Sequence, residues 1–315
     1  MADEMKAWYN IPVPKGRVFQ IDTDLDKLYE GVEDVGIGPR YFGEVRKGEW
    51  HLELGGPKHL YKSFFPFVEV VSDPEELVDG RIELIGPDLN EVEPETSLPF
   101  IFHAKIWGTD LTLDHTDFAV RGFFLGWLNI ENCGGTGASE SAWLRIGKAV
   151  APRLSFEKLG QIMRAHTMSM CPIVEKIELK FIIGSPEIGG RDFIEKLVTK
   201  EIKPKADAIQ ARNANISDED VDFFYGCTIC KMIAPNHVCV ITPAVIPYCG
   251  VLSYYTCKAV HDVDPGGYIF EIPKGETIDP VAGRYSGVDE LIWEKSSNRH
   301  AIFHLHSAIK YSTTN

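Results

Sequence analysis

Four cysteines in the last third of the chain restrict its fold more than any other feature of the sequence. Cys227, Cys230, Cys239 and Cys249 follow the spacing C-x2-C-x8-C-x9-C. Thiolate sulfurs favour iron–sulfur clusters, zinc or copper(I), and a C-x2-C pair brings two sulfurs within reach of one centre. A segment organised by metal ligation needs no large apolar core of its own. The spacing therefore predicts a metal centre in this part of the chain.

Spacing alone leaves three interpretations of these cysteines open. Structural zinc sites with four thiolates also begin with C-x2-C, but they more often use two such pairs. Here the apolar stretch VITPAVIPY (240–248) separates the last two cysteines, which favours a [4Fe-4S] cluster shielded from water. Unligated structural cysteines are the third interpretation. His237 is interpreted as a loop residue rather than a ligand, and Cys133, Cys171 and Cys257 as buried cysteines outside the centre.

The charge balance and the number of cysteines restrict partners and compartment. A net charge of −14 disfavours nucleic acids and anionic membranes as partners, because proteins bind these with surplus Lys and Arg. Seven cysteines, mostly clustered, do not fit a secreted disulfide framework. The N-terminal MADEMKAWYN has no apolar signal region, and no segment approaches about 18 uninterrupted apolar residues. We therefore expect a cytoplasmic protein.

Short strands interspersed with helices predict an α+β fold. Runs rich in Phe, Val and Ile and bounded by Gly, Pro or Asp are typical of strands, whereas apolar residues spaced by three or four indicate helices. Their irregular order predicts a mixed or antiparallel sheet with helices on one face. The predicted strands span 64–71, 81–86, 98–108, 141–147 and 173–184, and the predicted helices 113–130, 155–168 and 191–202.

Three regions are predicted along the chain. Residues 1–33 carry turn and charge patterns without a long periodic segment, and we interpret them as an N-terminal lead-in. Residues 34–220 form the α+β domain, which ends in the polar stretch around 203–222. Residues 221–315, dense in Gly, Pro, Cys and Tyr, form a smaller, irregular α+β domain around the metal centre.

A basic stretch at 143–164 is a candidate site for an anionic ligand. It carries five cations against the single acid Glu157, and a solvated helix face explains it equally well. The glycine-rich ENCGGTGAS (131–139) lacks the ending of a phosphate loop and is interpreted as a flexible turn. Asp114, His115 and Asp117 are interpreted as a helix start rather than a hydrolytic or metal site.

The sequence around the cysteines resembles acetyl-CoA synthase, the beta subunit of the carbon monoxide dehydrogenase/acetyl-CoA synthase complex of acetogens and methanogens. The resemblance covers roughly residues 34 to 315. The matching segments, in order, are LELGGPK (52–58), DGRIELIGPDL (79–89), SAWLRIGK (141–148), FYGCTICKMIAPNHVCVITP (224–243), CGVLSYYTCKA (249–259) and KGETIDPVAGRYSGVDELI (274–292).

The resemblance implies a role for each cysteine. In the family the four hold a [4Fe-4S] cluster, and the second, here Cys230, also bridges to a proximal nickel and is the catalytic ligand. A distal nickel is held by a Cys-Gly-Cys that follows a segment similar to SAIKYSTTN (307–315). We therefore expect a chain cut just before that motif, which binds the cluster but is catalytically incomplete. The alternative is a non-catalytic iron–sulfur or zinc scaffold. Ile233 departs from the family, where an aromatic residue is expected.

The resemblance also implies an activity and partners. The family condenses carbon monoxide, a methyl group from a corrinoid iron–sulfur protein and coenzyme A to acetyl-CoA, and it assembles with a carbon monoxide dehydrogenase subunit. Residues 34–220 would then be the coenzyme A-binding domain. The N-terminal domain of the acetogen members is expected to be absent, as in the archaeal beta subunits. The coenzyme A contacts implied here are Trp143, Arg145, Lys148, Arg153 and Arg164.

Overall fold

A computed structural model describes residues 8–37, 45–46, 48–55, 64–136, 143–232, 238–247 and 252–306. Contacts divide the chain into two compact units, Met1–Asp207 and Ala208–Asn315. Each unit combines helices with its own sheets, so the predicted α+β class is confirmed. The predicted domain limits at residues 33 and 220 stay predictions.

Two sheets organise the first unit. In the five-stranded sheet, of order β1-β4-β9-β6-β3, the pairs β4–β9 and β3–β6 are parallel and the other pairs antiparallel. The second sheet has the order β5-β2-β8-β7, with β2–β5 parallel. The strands are β1 Arg17–Gln20, β2 Trp50–Gly55, β3 Phe64–Val70, β4 Arg81–Ile85, β5 Thr96–Leu98, β6 Phe100–Trp107, β7 Cys133–Thr136, β8 Trp143–Gly147 and β9 Lys176–Ile183.

Local capping sets where the helices of this unit begin. The side chain of Ser155 accepts a hydrogen bond from the Lys158 N–H and so caps the start of α2, within the helix predicted over 155–168. The first helix begins later than predicted, because Thr112 and His115 cap a 3-10 turn that precedes it. The helices are α1 Thr116–Leu128, α2 Phe156–Met170 and α3 Gly190–Leu197, and α4 Lys203–Ala214 begins in this unit and ends in the second.

An aromatic core lies between the five-stranded sheet and helices α1 and α2. Phe102 and Phe181 face each other across β6 and β9 with ring centroids 5.5 Å apart. Phe123 from α1 and Phe156 from α2 pack on them at 5.1 Å and 5.3 Å. All four side chains are almost fully buried, so both helices cover the same face of this sheet.

The interpretation of residues 131–139 as a flexible turn is wrong for 133–136, which form β7 beside β8. Gly135 permits this pairing, because a Cβ there would lie 2.4 Å from the Trp143 carbonyl oxygen. Trp127 Nε1 also donates to the Gly134 carbonyl at 3.2 Å. The glycines therefore allow neighbouring groups to approach the backbone of β7 closely, and they do not form a loose loop.

A π-helical turn, Val198–Ile202, joins α3 to α4. Pro204 explains it, because proline has no N–H to donate and its ring clashes with the carbonyl four residues earlier in a regular α-helix. The helix predicted over 191–202 is thus confirmed, and α4 extends it into the polar stretch.

The second unit is a small sheet with helices and a hairpin. The sheet has the order β11-β10-β12 and is antiparallel throughout, and β13 pairs with β14. Within the described residues of the chain, no helix is long and apolar enough to cross a membrane. The elements are β10 Phe223–Cys227, β11 Cys239–Ile241, α5 Tyr254–Val263, β12 Ile269–Pro273, β13 Thr277–Asp279, β14 Arg284–Tyr285 and α6 Ser286–Lys295.

Candidate metal centre

Two of the predicted ligands face each other across the small sheet. Cys227 ends β10 and Cys239 begins β11, and the two residues are direct partners in the antiparallel register. Directly opposed side chains lie on the same face of a sheet, with Cβ atoms about 4.5–5.5 Å apart. Both residues are 4% exposed. The register thus brings together two thiols that are separated by eleven residues in the sequence.

The third ligand lies on the turn that follows β10. Cys230 belongs to a 3-10 helix, Ile229–Met232, and is a half-buried thiol. Thr228 anchors the start of this turn, because its N–H and its Oγ1 both donate to the Tyr268 carbonyl, at 3.0 Å and 3.2 Å. Cys230 therefore lies just past the end of β10, three residues after Cys227. It is the more accessible of these two cysteines.

A buried aromatic layer backs this face of the sheet. Because side chains alternate along a strand, Tyr225 shares the face of Cys227. Its ring packs against Tyr254 and His261 of α5, with centroids 5.3 Å and 6.1 Å apart, and burial raises the pKa of the Tyr225 hydroxyl far above its usual range. Cys257, also on α5, is fully buried. The surroundings of the two opposed thiols are thus poor in water.

Gly226 allows the opposite face of β10 to close. The ring of Phe270 lies across this glycine, and a Cβ at residue 226 would be 2.1 Å from Phe270 Cζ. Sequence reasoning missed this residue, although a glycine inside a strand pattern indicates a close approach of a neighbour. The strand that ends in Cys227 therefore depends on Gly226 for its packing.

The described cysteines supply the donor type of a thiolate metal site. Within the part of the chain that the structure describes, no group of three or more His, Cys, Asp or Glu side chains already converges on one point. Cys249, His237 and Ile233 lie outside the described residues. Two opposed thiols and a third on the adjoining turn suit an iron–sulfur cluster, and the same donors also suit zinc.

Trp143 and Arg145, two of the predicted coenzyme A contacts, lie together on β8. The Arg145 guanidinium stacks 4.2 Å from the centroid of the Trp143 ring. Its Nε donates to Glu53 Oε2 at 2.7 Å and its Nη1 to the Val45 carbonyl at 3.1 Å. The stacked pair is thus held in place by a buried carboxylate of the neighbouring strand β2.

The other predicted contacts are also engaged with groups remote in sequence. Lys148 pairs with Glu95 at 2.8 Å in an exposed ion pair. Arg164 is 1% exposed, and its Nη2 donates to both carboxylate oxygens of Asp79. Arg164 therefore makes the contacts of a core residue.

Asp34 contacts two further cations of the basic stretch, Arg153 and Lys158. The Arg153 guanidinium donates to the Asp34 carbonyl at 2.7 Å, and Lys158 Nζ reaches both carboxylate oxygens of Asp34. Coenzyme A binding by the five predicted residues stays a prediction.

Two family models match the chain in overlapping segments. One, described as the CO dehydrogenase/acetyl-CoA synthase complex beta subunit, matches residues 34–188. The other, described as the C-terminal part of the ACS/CODH beta subunit, matches residues 173–315. Together they cover the chain from residue 34 to residue 315, including all four cysteines.

The chain is also similar to several proteins that are named as beta subunits of an acetyl-CoA decarbonylase/synthase complex. The chain is 33% identical over 290 residues to the acetyl-CoA decarbonylase/synthase complex subunit beta of Archaeoglobus fulgidus, a match that covers 88% of this chain and 52% of that protein. It is 32% identical over 283 residues to the subunit beta of Methanopyrus kandleri, with 89% and 58% covered. It is 34% identical over 284 residues to subunit beta 2 of Methanocaldococcus jannaschii, with 89% and 57% covered. The chain thus spans between 52% and 58% of the length of these relatives.

Proposed function

The chain belongs to the family of CO dehydrogenase/acetyl-CoA synthase complex beta subunits, and on that basis we propose that it carries the metal centre of an acetyl-CoA-forming complex. Cys227, Cys230, Cys239 and Cys249 would hold a [4Fe-4S] cluster, with Cys230 also bridging to nickel. The observation that carries this proposal is the direct opposition of Cys227 and Cys239, with Cys230 on the adjoining turn.

Each described residue of the site has a distinct part in this proposal. Cys227 and Cys239 would anchor the cluster from the rigid sheet, because strand pairing fixes their separation. Cys230 is half-buried, which leaves its sulfur accessible to a second metal. Tyr225 and α5 would exclude water from behind the centre. When bound, the metals supply the chemistry that joins a carbonyl carbon, a methyl group and a thiol.

Coenzyme A is the proposed acyl acceptor. Its phosphates need local cations on a protein of net charge −14. The stacked Trp143–Arg145 pair and the exposed Lys148 and Arg153 support such a site on the first unit. Arg164 stays in the proposal although its guanidinium is buried against Asp79.

The names of the relatives support assembly with other subunits, although they do not specify each partner proposed here. Those proteins are called beta subunits of an acetyl-CoA decarbonylase/synthase complex. We propose that this chain likewise works with a carbon monoxide dehydrogenase subunit and with a corrinoid iron–sulfur protein as methyl donor, and that carbon monoxide is a substrate.

Metal analysis after anaerobic reconstitution with iron, sulfide and nickel tests the proposed centre. We expect about four iron atoms per chain, the content of a [4Fe-4S] cluster. Cys239→Ser should lose most of this iron, whereas Cys171→Ser, a matched control in the first unit, should keep it. One zinc and no iron per wild-type chain would contradict the proposal.

A further inference from the structure

A buried carboxylate joins three segments of the second unit. Asp218 is 6% exposed and lies in a 3-10 turn before β10. Its Oδ1 accepts a hydrogen bond from the Ala244 N–H at 2.9 Å, and its Oδ2 accepts one from the Tyr285 hydroxyl at 3.4 Å. His306 Nε2 lies 3.6 Å from the same Oδ2. One side chain thus contacts residues 26, 67 and 88 positions further along the chain.

The first of these segments is the connection between two predicted ligands. Ala244 lies in the stretch after β11, which runs from Cys239 towards Cys249. Thr242, 1% exposed, shapes it into a turn, because its Oγ1 accepts from the Ala244 and Val245 N–H groups at 3.2 Å and 3.0 Å. The hydrogen bond from the Ala244 N–H to Asp218 ties this turn to the 3-10 turn that precedes β10.

The other two partners fix the carboxylate itself. Tyr285 is buried against Phe224, with ring centroids 4.8 Å apart, and burial raises the pKa of its hydroxyl to about 12, so the hydroxyl keeps its proton and donates to Asp218. Backbone bonds from Leu305 and His306 to Gly283 and Ala282 hold the third segment. Within the described residues, His306 Nε2 is buried without a hydrogen bond, and it faces the carboxylate.

We propose that Asp218 is a positioning residue for the metal centre: it sets where the turn Thr242–Val245, which follows Cys239, lies relative to Cys227. This inference rests on the proposed function, since it assumes that these cysteines share one cluster. A charged acceptor holds a backbone N–H more strongly than a neutral one does, and ligands retain a metal best when their segment is already in place. Asp218 supplies that constraint without being a ligand.

Iron release from the reconstituted full chain tests the proposal. We expect Asp218→Ala to lose iron to a strong chelator about ten times faster than the wild type, and to alter the electron paramagnetic resonance spectrum of the reduced cluster. Asp220→Ala is the matched control, because Asp220 lies in the same turn but is exposed, and its carboxylate accepts from the neighbouring Ser217 N–H and hydroxyl. The control should release iron at the wild-type rate.

The melting temperature of the metal-free protein separates positioning from general stability. Metal-free Asp218→Ala should melt below metal-free Asp220→Ala, because the buried Ala244 N–H and Tyr285 hydroxyl lose their acceptor. Val288→Ala, which truncates a fully buried side chain of the same unit, is therefore the stability control, and it should release iron more slowly than Asp218→Ala and keep the wild-type spectrum. Equal release rates and spectra in Asp218→Ala and Asp220→Ala would overturn the inference, as would equal release rates and spectra in Asp218→Ala and Val288→Ala. If Asp218→Ala does not fold, the isosteric Asp218→Asn tests the inference instead, and we expect it to release iron about three times faster than the wild type. A wild type that binds no iron refutes the proposed function instead.

Discussion

At the residue scale, the strand that presents Cys227 depends on the absence of a side chain at its neighbour. Phe270 occupies the space where a Cβ of residue 226 would lie, at 2.1 Å from the nearest ring atom. The ring belongs to the partner strand β12, directly opposite Gly226 in the register. A larger residue must therefore displace either the ring or the strand.

We expect Gly226→Ala to destabilise the protein by about 1–3 kcal/mol, because it forces an extra methyl group into a filled space. The displaced strand should also hold iron less well, since it ends in Cys227. Urea unfolding and iron content after reconstitution measure both effects. Gly266→Ala is the control, because the nearest atom to its new Cβ is 3.8 Å away. Equal stability of the two variants would contradict the prediction.

The basic stretch shows what a sequence conceals at this scale. Between 143 and 164 the cations face a single local acid, Glu157. The fold brings Glu53, Asp79 and Glu95 to them from distant parts of the chain. Charge patterning along a sequence counts only neighbours along the chain, so it overestimated how much positive charge is left for a ligand.

At the element scale, the five-stranded sheet buries an alternating set of charges on the face opposite its aromatic core. Lys180 on β9 pairs with Glu83 on β4 at 2.9 Å. Trp8 lies over this face, with Lys105 Nζ and Lys180 Nζ each 4.7 Å from its ring centroid. Trp8, in the segment interpreted from the sequence as a lead-in, thus covers part of this polar sheet face, and β1 of the same segment is an edge strand of the sheet.

His103, on β6, is the fully buried titratable group of this face. Tyr9 donates its hydroxyl proton to His103 Nδ1, and His103 Nε2 donates to Glu69 Oε2 at 3.2 Å. A neutral imidazole has one acceptor and one donor nitrogen, which suits these two partners. Burial lowers the pKa of His103 to about 4. His103 is therefore neutral at pH 7.

Acid should weaken the first unit through this residue. The folded pKa of about 4 lies below the unfolded value of about 6.5, so the unfolded chain binds the proton first as the pH falls. Stability is complete above pH 6.5 and is lost progressively towards pH 4, by about 3 kcal/mol from this group. Urea unfolding from pH 7 to pH 4 measures it.

His103→Gln should flatten this pH dependence, because glutamine does not titrate. His300→Gln, at an exposed position, should leave the wild-type slope unchanged. A His103→Gln profile as steep as that of the wild type would show that other groups control acid unfolding.

Elements with strong local sequence patterns were predictable, whereas the pairing of strands within the sheets was not. Ser155 and the apolar spacing after it predict α2, and the alternation over 173–184 predicts β9. The polar sequence of α4 hid a helix, because Ala206 is its one buried residue among the described side chains. The opposition of Cys227 and Cys239 depends on strand register, which the cysteine spacing does not encode.

At the scale of the whole molecule, each compact unit has a hydrophobic core of its own. The first unit buries the phenylalanine cluster between its sheet and helices. The second packs Phe224, Val240 and Ile272 from its sheet against Tyr285 and Val288. Because every core residue named here contacts others of its own unit, loss of one core need not unfold the other.

Two optical probes can follow the units separately. Five of the six tryptophans lie in the first unit, and the sixth, Trp293, is 45% exposed in the second. Tryptophan emission should therefore report mainly on the first unit. Visible absorbance of a bound cluster would report on the second, which holds all four cysteines.

We expect one core substitution in each unit to move only its own probe. Phe123→Ala removes a fully buried ring and should cost about 3–5 kcal/mol, which lowers the urea midpoint of tryptophan emission but not that of cluster absorbance. Ile272→Ala, at a cost of about 2–5 kcal/mol, should do the reverse. Cluster binding adds stability to the second unit alone, so its midpoint should rise on reconstitution while the emission midpoint stays fixed. If both midpoints shift together in either variant, the two units unfold as one cooperative structure, and the metal centre then draws on the stability of the entire chain.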